Sequence, residues 1–463
     1  MSNAAKNPLE TLAEYISSFE VKDLPSEVRH GACACCIDAM GAAIGGLDYE
    51  EVPEVIKLFL NHSGRYGDGD PKSSIWGFGR ETSVFNASLL NGILAHSLEL
   101  DDVHTGSKTH IGAVVVPAAW AVGEAVGASG SEMLEAVVAG YETMARIGKG
   151  FGVSDHRLKG WHVSGTAGTF GAAAAASRLL KLDALRTLYA LGMAGTQSFG
   201  LWAFLGDGAT SKKLHTGRAA ENGAAAAYLA KAGMTGPKHI LDAEDGGLYR
   251  ATSDSWDLSA VSRDLGSVYE ILNVDRKPYP CCRSMHPALD AILQIRAEKF
   301  APPEEIQSIS IRSYEVGVKQ CGAIKYPSNV SESKFSMRFG VAAAYLDGAA
   351  TPRSFSMDKI NDENIRDLAS KIDYEASEEF TSNYPKSWGC GLSVTYRDGT
   401  VISRKVLDAS GSIANPMTDA QIGKKFTELT SPFLGDDGSA RALESLKDLE
   451  GLKSVRGLLS PRP

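Results

Sequence analysis

A surplus of positive charge is missing from this chain of 463 residues. Its formal net charge is −9 at pH 7, so no global basic field draws phosphates, and nonspecific nucleic-acid binding is excluded as a function class. Long apolar runs are missing too. The most apolar stretch, Ile111 to Val122, holds Pro117 and soon meets Glu124, short of the roughly 20 residues that a bilayer span needs. The polar opening, Met1 to Glu10, has no Arg/Lys-led apolar segment with a small-residue cleavage site, so no leader and no membrane partner are expected. Seven cysteines (Cys33, Cys35, Cys36, Cys281, Cys282, Cys321 and Cys390) form an odd set with poor disulfide spacing. They point to a reducing compartment, with the cytoplasm as the expected location.

The signatures of metal and nucleotide chemistry are also lacking. There is no HExxH or His-x-His, and His104 and His110 stand six residues apart. Adjacent Cys281 and Cys282 cannot easily ligate one tetrahedral ion, and three cysteines spaced for an iron–sulfur cluster are missing. No GxxxxGK[ST] occurs, and the Gly-rich stretches follow loops or helices rather than a strand. A GxSxG elbow is absent, which weakens a serine hydrolase reading. Neither a metal nor an organic cofactor is expected.

What is present is ordinary globular composition, 43% hydrophobic and 22% charged, in a chain long enough for two domains. Residues 1–270 read as helices: Leu9 to Phe19, Ser26 to Ile44, Glu81 to Asp101, Gly112 to Val126, Gly130 to Gly150, Thr166 to Leu180, Asp183 to Gly206 and His215 to Ala232. Dense Ala and Gly (GTFGAAAAAS, GRAAENGAAAA) let helix axes approach closely, and no clear alternating strand pattern appears in this part. The character changes near Leu272. Ile306 to Val318 alternates like a strand, helices follow at Phe335 to Leu346 and Asp362 to Lys371, and Cys390 to Val406 reads as a hairpin turning at Asp398-Gly399. Residues from Thr418 to Leu459 return to a helical pattern. The expected fold is mainly α: a large all-helical domain (1–270 and 409–463) with a smaller inserted α+β domain (271–408).

Four segments gather the chemically capable residues. They are AHSLELDDVHTGSKTH (Ala95 to His110), Gly160-Trp161-His162, SKKLHTG (Ser211 to Gly217) and KPYPCCRSMH (Lys277 to His286), and they hold six of the ten histidines. Taken singly, each has a structural explanation. Asp101, Asp102 and His104 could cap a helix, His162 could be a satisfied half-buried histidine, Lys212 and Lys213 an exposed charged pair, and Cys281-Cys282 small core residues. Taken together they offer histidines for acid–base work near neutral pH and cations that clamp carboxylates and stabilise an enolate-like charge. That combination suits β-elimination, decarboxylation or epimerisation beside a carboxylate.

In this order, AHSLELDDVHTGSKTH with VVVPAAWAVGEA, GWHVSGTAGTFGAAAAASRLLKL, SKKLHTGRAAENG and KPYPCCRSMHPALDAI resemble the MmgE/PrpD family over nearly the whole chain. The resemblance implies a helical domain built from both chain ends plus an α+β lid, a homodimer, and an active site in the cleft between domains. It also implies activity on small polyanions: 2-methylcitrate dehydration first, then iminodisuccinate epimerisation, then cis-aconitate decarboxylation, with a polycarboxylate-binding homologue as the non-enzymatic alternative. Carried over by position, the family's catalytic residues look like His110, His162, Lys212 and Lys277, with Asp101 or Asp102 orienting a histidine. Glu99, Asp102, His104, Tyr279 and Arg283 are the expected substrate contacts. Glu99 stands where the animal cis-aconitate decarboxylase has Asp, and Val103 where that enzyme has a pocket threonine.

Overall fold

The computed structural model describes residues 6–62 and 71–459. Two compact units emerge: Met1–Phe204 with Ser211–Asp275 and Thr418–Pro463, and Leu205–Thr210 with Arg276–Met417. The chain is mainly α, and the inserted unit carries the larger sheet.

Helices of the first unit start where the sequence supplies caps. Asn7 accepts from Leu9 N to open α1 (Pro8–Ser18), and α2 (Ser26–Gly45) follows Pro25. After α3 (Val52–His62) the chain makes a two-stranded hairpin, β1 (Lys72–Ile75) and β2 (Arg80–Ser83), in a region read from sequence as helix and loop. Ser73 and Ser74 of β1 are buried, and both have partners. Ser73 Oγ donates to the Ala121 carbonyl at 2.5 Å, and Ser74 N donates to Glu124 at 2.7 Å. Ser83 then caps α4 (Val84–Ser97), so this helix is shorter than the expected Glu81 to Asp101.

Helices α5 (Gly112–Val126) and α6 (Gly130–Gly150) fall at the expected bounds, α6 under a Ser129/Glu132 capping box. From Gly112 to Glu124, α5 is buried on every face, as the centre of a helical layer requires. α7 (Val153–Leu158), α8 (Val163–Thr166), α9 (Gly168–Leu179), α10 (Ala184–Thr196) and α11 (Lys212–Lys231) follow, and of these α9 and α11 pack on α5. Small residues set these distances: α9 packs on both α6 and α11, and α11 packs on α4. The C-terminal helix Asp419–Lys447 packs on α2 and breaks at Gly435, which adopts φ 70°.

In the second unit a four-stranded sheet has the order β4-β3-β5-β6, from β3 (Ile306–Ser313), β4 (Ile372–Ala376), β5 (Cys390–Tyr396) and β6 (Val401–Val406). β3 pairs parallel with β4 and antiparallel with β5, and β5 continues through the Asp398-Gly399 turn into β6. The alternate residues Ile309 and Ile311 face a core that includes Leu392, Val394 and Leu289. The expected strand to Val318 ends early, because Glu315–Cys321 is a helix.

Candidate active site

Four histidines of the first unit form a row of neighbouring rings. Centroids lie 4.5 Å apart for His96 and His110, 6.4 Å for His110 and His162, and 5.2 Å for His162 and His215. Backbone contact between helices assembles the row. α4 and α11 cross glycine on glycine, so close that a Cβ on Gly92 would stand 2.8 Å from Cα of Gly217. Thr216 Oγ1 donates to the Gly92 carbonyl at 2.9 Å across the same crossing. One turn beyond it on α4 is His96, and one turn before it on α11 are Lys213, Lys212 and His215. Gly92→Ala should therefore cost about 1–3 kcal/mol through overpacking. Urea denaturation checks this, and an unchanged midpoint would show that the crossing relaxes freely.

Just after α4 the chain turns through Glu99, a non-glycine residue at φ 55°. Left-handed backbone at such a residue is uncommon and clusters at functional sites. The turn points the Glu99 carboxylate at Lys212 Nζ, with which it pairs, and sets it 3.3 Å from Nε2 of His96. Asp101, fully buried, lies 2.9 Å from Nδ1 of His96 and 3.1 Å from Nδ1 of His110. Burial acts to raise the Asp101 carboxyl, but the pull of His96 and His110 outweighs it and holds the group well below the usual carboxylate range. An ionised carboxylate only accepts, so both Nδ1 atoms are donors, and proton exchange at His110 falls to Nε2. The Asp102 carbonyl, 3.1 Å from the same Nδ1, enforces that assignment.

His162 sits at the start of α8, its N–H donating to the Gly200 carbonyl at 3.0 Å. Its Nδ1 meets Nδ1 of His215 at 2.9 Å, while buried Nε2 has no hydrogen-bond partner among the described residues. Trp202 and Phe204 wall the ring at 5.1 and 6.1 Å, and the Arg157 guanidinium stacks on Trp202 at 4.1 Å. Burial, with His215, Lys212, His110 and His96 adding repulsion, pushes His162 well below the usual imidazole value. Burial, with His96 and Lys212, lowers His215 to about 4. Both rings are thus neutral at pH 7. The Lys212–Lys213 dipeptide is no exposed pair: both are buried, and Lys213 Nζ lies 3.0 Å from Glu51.

His96, Glu99 and His110 bring metal-capable donor atoms within 4.8 Å of one another. The cation paired with Glu99 is the Lys212 ammonium, which makes the trio part of a charge network.

Models of the MmgE/PrpD N-terminal domain and of the MmgE/PrpD C-terminal domain match residues 10–260 and 279–450. The chain belongs to the MmgE/PrpD family. Among curated MmgE/PrpD relatives, cis-aconitate decarboxylase of Homo sapiens is 28% identical, covering 96% of this chain and 92% of its own length. The Mus musculus cis-aconitate decarboxylase is 26% identical (98% and 93%), and that of Aspergillus terreus 25% (96% and 93%).

Within this MmgE/PrpD chain, Glu99, Asp101, His110, His162 and Lys212 gather in the first unit, and Lys277, Tyr279 and Arg283 belong to the second. Several of the expected substrate contacts also have protein partners. His104 commits Nδ1 to Ser107 Oγ at 2.8 Å and Nε2 to Glu270 at 3.1 Å, because its backbone pairs with Thr109 and turns the ring the other way. The Asp102 carboxylate accepts from Gly112 N at 2.8 Å and Tyr141 OH at 2.6 Å, capping α5 instead of orienting a histidine. In the second unit the Tyr279 hydroxyl donates to Asp290 at 2.6 Å. Arg283 donates to the Ser410 carbonyl at 3.0 Å and meets His286 Nδ1 at 2.9 Å. Lys277 is fully buried there. His96, His215 and Arg157 were not singled out from sequence. The first two lie inside recognised segments, whereas nothing local marks Arg157.

Burial and the neighbouring Asp38 raise the Asp102 carboxyl to about 7, against the opposing hydrogen bonds of Tyr141 and Gly112. A folded value above the unfolded one means stability falls as pH rises from about 4 to about 7 and levels off above. Asp102→Asn should remove that fall while preserving the cap. Melting temperatures at pH 5, 6 and 8 check it, and parallel wild-type and variant profiles would count against it.

Proposed function

We propose that this protein is a proton-transferring lyase acting on a small polycarboxylate of the citrate–aconitate class. The observation that carries the reading is Nε2 of His162: neutral, buried, lacking a partner among the described residues, and flanked by the Lys212 cation. Lys212 binds a substrate carboxylate and stabilises the charge that develops on it. Arg157, over Trp202, supplies further positive potential. In dehydration, Nε2 of neutral His162 takes the proton from carbon, the electron pair forms the double bond, and His110, as the imidazolium paired with Asp101, protonates the hydroxyl, which leaves as water. In decarboxylation, the C–C bond breaks, CO₂ leaves, the electron pair passes into the conjugated carboxylate, and the His110 imidazolium then protonates carbon and becomes neutral. His110 is the acid in either reaction.

Cis-aconitate is the first substrate to test because the relatives above are named for its decarboxylation, and 2-methylcitrate is the second. Epimerisation of iminodisuccinate is the alternative reading, favoured by two imidazoles 6.4 Å apart that could address opposite faces of one carbon. Proton NMR in D₂O with each compound in a separate tube decides. Loss of CO₂, loss of water or stereoisomer interconversion with deuterium uptake names the reaction. A melting shift with all three but no exchange would instead indicate a binding protein. Lys212→Met should lower kcat/KM by roughly 30- to 3000-fold, the range for removing one partner of a buried charge pair, and near-full turnover would remove Lys212 from the mechanism.

A further inference from the structure

Beyond the rings that face substrate, His215 has a geometry that a packing role does not explain. Its Nδ1 lies 2.9 Å from Nδ1 of His162, a contact between two nitrogens that needs one proton between them. Each neutral imidazole carries one N–H, so the position of that proton fixes what His162 Nε2 can do. With the proton on His162 Nδ1, Nε2 is bare and acts as a base. With it on His215 Nδ1, Nε2 carries a hydrogen and acts as an acid. The His162 ring is 1% exposed and His215 8%, so a positive charge is less costly on His215.

We propose that His215 is a positioning and relay residue for His162: its Nδ1 fixes Nε2 as the working atom of His162 and takes the ring proton when Nε2 is protonated. The step balances. The substrate C–H bond breaks and an N–H bond forms at His162 Nε2. The N–H bond at His162 Nδ1 breaks and one forms at His215 Nδ1. The imidazolium charge then rests on His215, and His162 is neutral with its new hydrogen facing substrate, ready to return it. The charged and titratable groups facing the pair are Lys212 from α11, His110 from the loop before α5, and His96 from α4. Lys212 and His96 act on both rings, whereas His110 acts on His162 and not on His215, so a charge is less opposed on His215.

This inference rests on His162 being the proton-transfer group, yet the pairing itself is measurable without substrate. The full-length protein is labelled with ring-¹⁵N histidine, and the His162 signals are assigned by their loss in His162→Gln. Wild type should show His162 neutral from pH 5.5 to 8, with its Nδ1 hydrogen-bonded to a second histidine nitrogen. His215→Phe should collapse that coupling into averaged tautomers, and His215→Asn, whose amide can occupy the Nδ1 position, should restore one tautomer without restoring proton transfer. Turnover should fall about 10²–10⁴-fold in both variants, with a shifted pH profile. Unchanged His162 signals in His215→Phe, or wild-type turnover in His215→Asn, would overturn the proposal. If His215→Phe fails to fold, the wild-type nitrogen coupling and the Asn variant still decide. A protein that shows the coupling but turns over none of the three substrates fails the lyase reading and leaves the pairing standing.

Discussion

Replacing His162 with Gln is expected to lower kcat by roughly 10²–10⁴-fold, the usual contribution of a positioned acid–base group, with little change in the melting temperature. The ring is nearly isolated from the fold's hydrogen-bond economy. One nitrogen is held by His215 and the other meets no described residue, so Gln removes chemistry without orphaning a structural partner. The pH dependence carries a second signature. Because burial and the surrounding cations hold His162 well below the ordinary imidazole value, it stays a competent base as pH falls through 6.5, and loss of activity from its protonation should come only below that. Steady-state kinetics from pH 5 to 8 on whichever substrate the NMR experiment identifies checks both points. A folded variant with turnover within a few-fold of wild type would sink the role, and an acid limb centred at 6.5 would show that the ring is more hydrated than the structure indicates.

Much of this was legible in the sequence because the relevant forces act locally. Helices α5 and α6 fall at their expected bounds, since Gly112, Ser129 and Glu132 announce their ends. The β5–β6 hairpin was legible because Asp398-Gly399 sits between alternating runs. β1 and β2 were missed for the opposite reason. KSSI and RETS have no apolar alternation, and the burial of Ser73 and Ser74 depends on Ala121 and Glu124, some fifty residues away. The site divides in the same way. Composition marked the segments, but which histidine of a segment turns inward is decided by tertiary pairing. His104 and His110 share a segment, yet Glu270 claims the first and Asp101 the second. His96 and His215 acquire meaning only where α4 meets α11.

Asp101→Asn should have the largest combined effect on stability and activity. The carboxylate is fully buried and accepts from Nδ1 of both His96 and His110. An amide has one accepting oxygen and one donating nitrogen, so it can satisfy only one of those N–H groups and sets a donor against the other. Breaking a buried charged network from one side costs about 3–5 kcal/mol, which urea denaturation at pH 7 would read directly. Activity should fall with it, by up to roughly 10⁴-fold, because a histidine deprived of its orienting carboxylate presents the wrong tautomer. The sign of the pH effect follows from the depressed carboxyl. Its stabilisation is present above the unfolded value of 3.8 and is lost as pH falls through the still lower folded value. Wild type and variant should therefore differ fully at pH 7 and converge only in strong acid. Equal stability at pH 7 would mean that water or rearranged histidines replace the carboxylate. Full stability loss with normal turnover would separate the network's structural role from the chemistry and move the proton-transfer assignment away from His110.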